Sequence, residues 1–541
     1  MGAQGRALRD RRRLTWLVCA ALLAGAPGAA SARDCLEGTG IQALRAGIES
    51  GRLAGEQTRL KGVVSGRFPG SDGLNGFFLQ QQGRDRPPWG LFVYTPEHAA
   101  SELPVRGERV SVRGQAGEHQ GNPQLEWVRE IRSCGHRKPE AVTISPPLSR
   151  ERRHELAGVL VAIDEPLTVT GHHELQRWGV LQLSVKGRRF HPASGVAGGR
   201  DAGFVLDDGS YEREPHPVPY LDSQQGRRVG SRLTRSEGIL VRRFGQWRLH
   251  PVAEPVFRNA NPRVSPPEVP SGAFRMASVN LQNFFPVTQQ RGPSDPELRR
   301  RREAGIVEAL AELDADVIAV QELANNQAAA RELRQRLNRA APGRYRFALG
   351  SDAVGNDAIR VALLLRAARV RTLHADVVSG RAHNRPPVRA RVTLNGGREI
   401  NVIAVHFKSR GGCGEDQVCG QQRRRAQARA LSGALTGTDG EPVFVLGDFN
   451  SYAREQPLRT LAEAGIRPMV APTLAADQRY TYVHRGQSGM LDFILGNRAA
   501  DQWPQQGTIW HMGSDEVRGI PDRGPWGATD HDPVILDLLP R

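Results

Sequence analysis

The spacing of apolar residues changes along this chain, and each change predicts a different architecture. Between Arg59 and Val128 apolar residues come in short runs punctuated by glycine: RLKGVVSGRF, GFFLQQQG, GLFVYT, GERVSVRGQ and LEWV. Several of these runs alternate apolar with polar positions, which is the period of a half-buried strand. Short strands in such succession predict a small OB-like barrel over residues 33–140, a fold suited to oligonucleotides or oligosaccharides. The style returns over residues 150–258 in LAGVLVAI, PLTVTG, GVLQLSVKG, FVLDDG, EGILVRRFG and QWRLHPV, without a strict repeat, and predicts a second small all-β domain. Residues 259–272, NANPRVSPPEVPSG, are rich in proline and polar residues and read as a linker.

From Phe274 the texture becomes α/β. The strand-like runs FRMASVN, DVIAVQE, IRVALLLR, INVIAVHF, PVFVLGDF, LDFIL and PVILDLL are separated by helical segments. The helix predicted over Glu297–Leu313 carries Ile306, Val307, Leu310 and Leu313 at helical spacing, which makes them core residues rather than a binding stripe.

A chain of 541 residues with 39% hydrophobic content is long enough for two or three cores. Its first 32 residues have a different grammar. RALRDRRR is a basic leader, LTWLVCAALLAG an apolar stretch and Ala30–Ala32 a small-residue cleavage site, so export to the periplasm or the medium is expected. The apolar stretch is shorter than the roughly 20 residues a membrane span needs. No later segment qualifies, so stable membrane insertion is not expected, and nothing implies a protein partner. Cleavage would remove five arginines and one aspartate, lowering the formal charge from +17 to +13. Polyanions are the natural partners of such a surface. The remaining cysteines fall into two regional pairs, Cys35 with Cys134 and Cys413 with Cys419, and an oxidising compartment predicts both as disulfides.

Polar residues recur at the ends of the predicted α/β strands. Asn280 and Asn283 stand in SVNLQNFF, Glu322 in VQE, His406 in VHFKS, Asp448 and Asn450 in GDFN, Asp492 in MLDFIL, and Asp530 with His531 in ATDHDPV. A lone Asp or His after a strand is usually a turn former, but a series in this order needs another explanation. Residues 273–541 resemble the endonuclease/exonuclease/phosphatase superfamily of DNase I-like nucleases. Bacterial extracellular nucleases with N-terminal OB-like domains are the subgroup with the greatest resemblance. The resemblance implies an α/β fold, with a two-sheet α/β sandwich as the catalytic domain behind two small all-β domains.

Chemistry accounts for the residue types. A phosphodiester repels nucleophiles, so a site that hydrolyses it must hold a hard cation, position water and meet developing negative charge. Glu322 and Asp530 suit Mg²⁺ or Mn²⁺, with Ca²⁺ as an alternative, and Asn280 assists. The resemblance implies that Asp448 activates water, that Asn450 holds the phosphate or that water, and that Asp492 orients His531 onto the phosphate. His406 would stabilise or protonate the leaving oxygen, with Asp357 behind it as the carboxylate that raises its pKa. Lys408 and Asn283 are expected to contact substrate.

The expected function is an exported, metal-dependent nuclease acting on DNA, and on RNA as a further substrate, with little sequence preference. One rival keeps the fold but hydrolyses phospholipid, using Trp503 and Trp510 of WPQQGTIW as an aromatic membrane hairpin. Another is a non-catalytic nucleic-acid-binding matrix protein. The linker further implies a catalytic half that still cuts after removal of Arg33–Gly272, provided that it folds alone.

Overall fold

The computed structural model describes residues 35, 38–81, 88–198, 203–221, 227–286, 290–341, 343–411, 417–438, 440–520 and 524–540. The expected export segment 1–32, Cys413 and the Cys419 side chain lie outside the described residues.

The five glycine-punctuated runs near the N-terminus close into a barrel, with neighbours in the order Gln57–Phe68, Gly76–Gln81, Trp89–Tyr94, Asn122–His136 and Glu108–His119. Alternation turns Leu60, Val64, Phe77, Leu79, Leu91, Val93, Val110 and Val112 into one interior. The helix Ile41–Glu49, which the strand pattern did not reveal, adds Ile41, Leu44 and Ile48 to that core. Cys35 is disulfide-bonded to Cys134 on the last barrel strand, as expected.

The next sheet runs Gln246–Pro251, Phe204–Asp207, Val180–Ser184, Leu167–Gly171, Arg232–Arg243, Leu160–Ile163 and Val142–Ile144. The long strand Arg232–Arg243 also pairs with Gln246–Pro251, so the sheet closes on itself around Leu167, Val169, Leu181, Leu183, Leu206, Leu240 and Leu249.

The remainder is a sandwich of two six-stranded sheets. One has the order Tyr345–Phe347, Ile359–Arg366, Val317–Ala324, Phe274–Phe284, Val534–Leu538, Gln505–Ile509. The other has the order Val370–Val377, Val388–Leu394, Glu399–His406, Val443–Asp448, Asp492–Gly496, Arg467–Pro468. Each sheet contains one parallel pair, Phe274–Phe284 with Val317–Ala324 and Glu399–His406 with Val443–Asp448. These four strands are nearly continuous apolar runs because both of their faces are covered. The helix Pro296–Glu312 buries Ile306, Val307 and Leu310 against the outer face of the first sheet, with Leu313 just beyond its end in the same core. The expected helix is therefore present, starting at Pro296 behind the N-cap Asp295.

One expectation fails on packing. Trp510 is buried, donates its indole N–H to the Val264 carbonyl at 2.8 Å and meets Trp526 edge to face. Trp503 packs on the sandwich core. These two residues do not form an exposed aromatic hairpin, since each indole finds more apolar contact inside the sandwich than on the surface. The linker expected over residues 259–272 is docked on the C-terminal part rather than free. Asn261 donates to Asp515 at 2.6 Å, Arg263 pairs with Glu516 at 2.8 Å, and Arg275 donates to the carbonyls of Pro267 and Glu268.

Candidate active site

The parallel pair in each sheet ends at the same edge of the sandwich, and the polar residues stand at those ends. In the strand Val443–Asp448, Gly447 lies so close to the next strand that a Cβ there would come within 2.0 Å of the Val405 carbonyl. Only glycine permits that approach, and it sets Asp448 directly beside His406 in the register. Asp448 is buried. One of its oxygens accepts the Asn450 backbone N–H at 2.7 Å, and the other accepts the side-chain amides of Asn450 at 3.0 Å and Asn280 at 3.1 Å. The Asn450 amide also donates to the Phe407 carbonyl at 3.3 Å. In this arrangement Asn450 orients the carboxylate, and its N–H groups are not left free for a phosphate.

Glu322 reaches the same point from the other sheet through a break in register. Pairing skips from Asn280–Gln321 to Phe284–Leu323, and Gln282, Asn283 and Glu322 all adopt left-handed backbone, with φ of 47°, 61° and 62°. Left-handed backbone outside glycine is costly, and bulges of this kind re-aim side chains beside active sites. Here the Glu322 carboxylate turns to accept the Asn280 amide at 3.2 Å. Asn280 thus ties Glu322 to Asp448, while its own oxygen accepts the Gln282 N–H at 2.9 Å.

The third arm comes from the C-terminus. Asp492 sits opposite Asp448 on the adjacent antiparallel strand, and its Oδ2 lies 2.7 Å from His531 Nδ1. The Thr481 hydroxyl donates to the same carboxylate oxygen at 2.7 Å. The loop before His531 is pinned by Asp532, which accepts the backbone N–H groups of Gly513 and Ser514 at 2.9 and 2.8 Å. The Thr529 hydroxyl donates to the Asn280 carbonyl at 2.8 Å and so joins this loop to the first sheet.

Electrostatics separates the roles. Burial pushes the Asp448 carboxyl up to about 7, with the Asp492 charge adding to the effect. Burial opposes the charge on His531, yet the Asp492 carboxylate against its ring raises it well above the usual histidine range. Burial and then the Asp530 charge raise the Glu322 carboxyl. Glu322 with Asp530 beside it offers the hard oxygen donors a divalent cation needs. Glu322 and Asp530 also keep 19% and 14% of their side chains exposed, enough for an ion to reach them. Ligand atoms of Asp448, Asp492 and His531 lie within 4.8 Å of one another as well. In that trio His531 and Asp492 are already bound to each other. The donor set of Glu322, which accepts the Asn280 amide, and Asp530 fits Mg²⁺ or Mn²⁺.

His406 departs from expectation. Its Nε2 lies 3.5 Å from Asp448 and 3.9 Å from Glu322, while its Nδ1 is buried without a hydrogen-bond partner among the described residues. Asp357 does not stand behind it. That carboxylate accepts the Ile359 N–H at 3.3 Å in a local turn. Burial, followed by the charges of Arg385, His531 and Lys408, holds His406 well below the usual range. That shift favours the neutral ring, whose N–H can donate a hydrogen bond.

Lys408 curls onto Ser409 and the Gly411 carbonyl, the latter at 2.7 Å, at the rim of the site. Asn283 contributes its carbonyl to Arg302 at 2.8 Å, and its side-chain oxygen is buried without a partner. Neither is hydrogen-bonded to Asp448, Asn280 or Glu322 among the described residues. Sequence reading missed Arg385, which is buried, donates to the Phe407 carbonyl at 2.7 Å and faces Asp357, Glu322 and Asp448. It also missed Arg518, 3.4 Å from Asp530. In a chain this rich in arginine neither residue stands out, whereas Thr481 could have been suspected from its place near the LDF run.

Residues 277–531 match the profile of the Endonuclease/Exonuclease/phosphatase family, and the C-terminal sandwich has the DNase I-like fold. Among solved structures, TDP2 from D. rerio, complexed with a single-strand DNA product, shares 18% identity with a TM-score of 0.36, covering 50% of this chain and 100% of that one. An endonuclease/exonuclease/phosphatase from Bacteroides vulgatus shares 16% identity with a TM-score of 0.36, covering 50% and 99%. The human Nocturnin catalytic domain with bound sulfate shares 18% identity with a TM-score of 0.35, covering 49% and 94%. No curated protein matches the chain.

Proposed function

We propose that this protein hydrolyses phosphodiester bonds of nucleic acid, DNA above all and RNA as a further substrate, with little sequence preference. The observation that carries this reading is the buried meeting of Asp448, Asn280 and Glu322 from two sheets beside the Asp492–His531 pair. It supplies a base, a cation and a pair of metal-binding carboxylates within one site. Asp448, with a carboxyl near 7, takes the proton of the attacking water at its oxygen, while Asn280 and Asn450 hold that oxygen in place. His531, charged and fixed by Asp492, meets the phosphate oxygens as negative charge grows on them. Neutral His406 donates an N–H towards the same centre. Glu322 and Asp530 would hold Mg²⁺ or Mn²⁺, with Ca²⁺ as an alternative, and the ion would polarise the phosphoryl group.

The reading extends to organisation. Residues 1–32 direct export to the periplasm or the medium, 33–140 and 150–258 are the accessory β-domains, and 273–541 is the catalytic domain. The basic balance of the exported chain, +13 after cleavage, favours a polyanionic substrate.

The mature protein tested on closed plasmid, RNA, bis(4-nitrophenyl) phosphate and sphingomyelin, with Mg²⁺, Mn²⁺, Ca²⁺ or EDTA, decides the matter. Nicking of plasmid that EDTA abolishes is the expected result. Hydrolysis undiminished by thorough chelation, or cleavage of sphingomyelin alone, overturns the reading.

A further inference from the structure

The hairpin of Tyr482–His484 with Gln487–Gly489 belongs to neither large sheet and lies between the catalytic sandwich and the second β-domain. On one side Tyr482 bridges to His531, with ring centroids 4.7 Å apart. On the other, Ser488 exchanges backbone hydrogen bonds with the β-domain, donating to Arg189 at 2.8 Å and accepting from His191 at 2.9 Å. The β-domain touches the active-site loops at further points. His191 stacks on Tyr452 with ring centroids 3.8 Å apart, and Gln176 packs against Gly519 next to Arg518.

The turn of this hairpin is Arg485–Gly486, both in left-handed backbone with φ of 46° and 73°. Such turns favour Asn, Asp or Gly at both central positions. An arginine at the first position costs stability there, and in return it projects a cation. Arg485 is exposed and forms no ion pair among the described residues. It lies three residues from Tyr482, roughly 10 Å along the strand, too far to touch the phosphate under attack but within reach of its neighbours on the same strand. Arg518 crosses the Tyr482 ring at 5.1 Å, and His484, directly before Arg485, stacks near-parallel to that ring at 6.3 Å. From the β-domain, His173 faces the same place. Burial lowers its pKa, and the charges of Arg518 and Arg485 lower it further, while Glu174 acts in the opposite sense from 3.9 Å. Glu174 lies 3.9 Å from His173, while Asp530 pairs with Arg518 and Glu455 with Arg410. Burial, and then the charges of Arg485 and Arg518, lower the pKa of His484, so its ring offers an N–H rather than a charge beside the Arg485 guanidinium.

We propose that Arg485 and His484, together with His173 of the second β-domain, form a rim that binds the backbone phosphates of a nucleic-acid strand beside the bond being cleaved. The accessory domain is then part of the substrate surface. This rests on the phosphodiesterase reading above, and the test separates the two.

Arg485→Gly removes the cation and suits the turn, so it does not threaten folding. Binding of a fluorescent single-stranded oligonucleotide is followed by anisotropy in EDTA over a salt series, and kinetics are measured on DNA and on bis(4-nitrophenyl) phosphate, a diester too small to reach the rim. The expected result is severalfold weaker binding, a salt slope reduced by about 0.7 for the lost contact on a single strand, a raised KM on DNA and unchanged turnover of the small diester. Thermal stability should stay level or rise, whereas a merely structural arginine would lower it. His173→Ala should weaken binding in the same direction. Unchanged affinity and salt slope in Arg485→Gly, or an equal loss on the small diester, overturn the rim. Failure of the unaltered protein to hydrolyse either substrate with any metal overturns the phosphodiesterase reading instead, and the anisotropy result still judges the rim.

Discussion

Asp492 holds His531 across 2.7 Å from Oδ2 to Nδ1, while standing directly opposite Asp448 on the neighbouring strand. One carboxylate therefore stabilises a cation and discourages ionisation of the proposed base. Asp492→Asn should undo the first effect. His531 is raised well above its usual range, so the stabilisation from its charge is fully present below the unfolded histidine value and is lost as pH rises through the raised one. The variant should move the alkaline fall of the kcat profile to lower pH and cut turnover by about 10²-fold or more. An alkaline limb in the same place would mean that another group sets it.

Asp448→Ala should abolish turnover by about 10²-fold or more while oligonucleotide affinity in EDTA changes little. Because burial and Asp492 place the Asp448 carboxyl near 7, the metal-free protein should show a group titrating there, and the variant should lose it. Carboxyl chemical shifts across pH 5–9 provide the check.

Glu322→Gln should raise the Mg²⁺ concentration needed for half-maximal activity, since it removes one of two hard donors while leaving the Asn280 contact available. Metal titration of the rate is the measurement. The same metal dependence as the unaltered protein would move the ion elsewhere in the site.

Removal of Arg33–Gly272 should not yield the independent catalytic half that a linker implies. Asp515 is fully buried and bound by Arg188 at 2.8 and 3.1 Å, by Asn261 and by Tyr480, and Glu516 pairs with Arg228 and Arg263. All but Tyr480 of those partners lie in the deleted part. Burial would raise Asp515, but Arg188 above all, with His511 and Arg228, brings it down to about 2. Its contribution is present above the ordinary carboxylate value and is lost as pH falls from near 4 towards 2. Arg188→Ala strands the charge, at a cost of about 3–5 kcal/mol, and should flatten that acid dependence. Thermal unfolding between pH 2 and 5 tests it, and a soluble, cooperatively folding 273–541 fragment would contradict it.

Reduction of Cys35–Cys134 should destabilise the barrel by on the order of 2–5 kcal/mol, leaving turnover of a small diester intact. Non-reducing mass mapping confirms the pair, and two free thiols there would refute it.

The strands, the helix with Ile306 and Leu310, and the polar residues closing the apolar runs were legible because each depends on local periodicity. An apolar run that stops at Asp448 or His406 shows its period and its end within a few residues. What lies across sheets or domains was not legible. The left-handed turn at Glu322 arises from a register break between two strands, and no residue near it in sequence reports that break. The resemblance places Asp357 behind His406, but that carboxylate caps the start of its own strand at Ile359, and burial with Arg385 holds the histidine well below its usual range. The linker is proline-rich and still docked, since its partners Asp515 and Glu516 lie more than two hundred residues away. Local order follows from short-range alternation, whereas a buried charge is tolerated only where distant groups meet it. Sequence alone therefore determined which elements form and which polar residues close them, and the tertiary structure decided which of those residues share a charge, a proton and a surface.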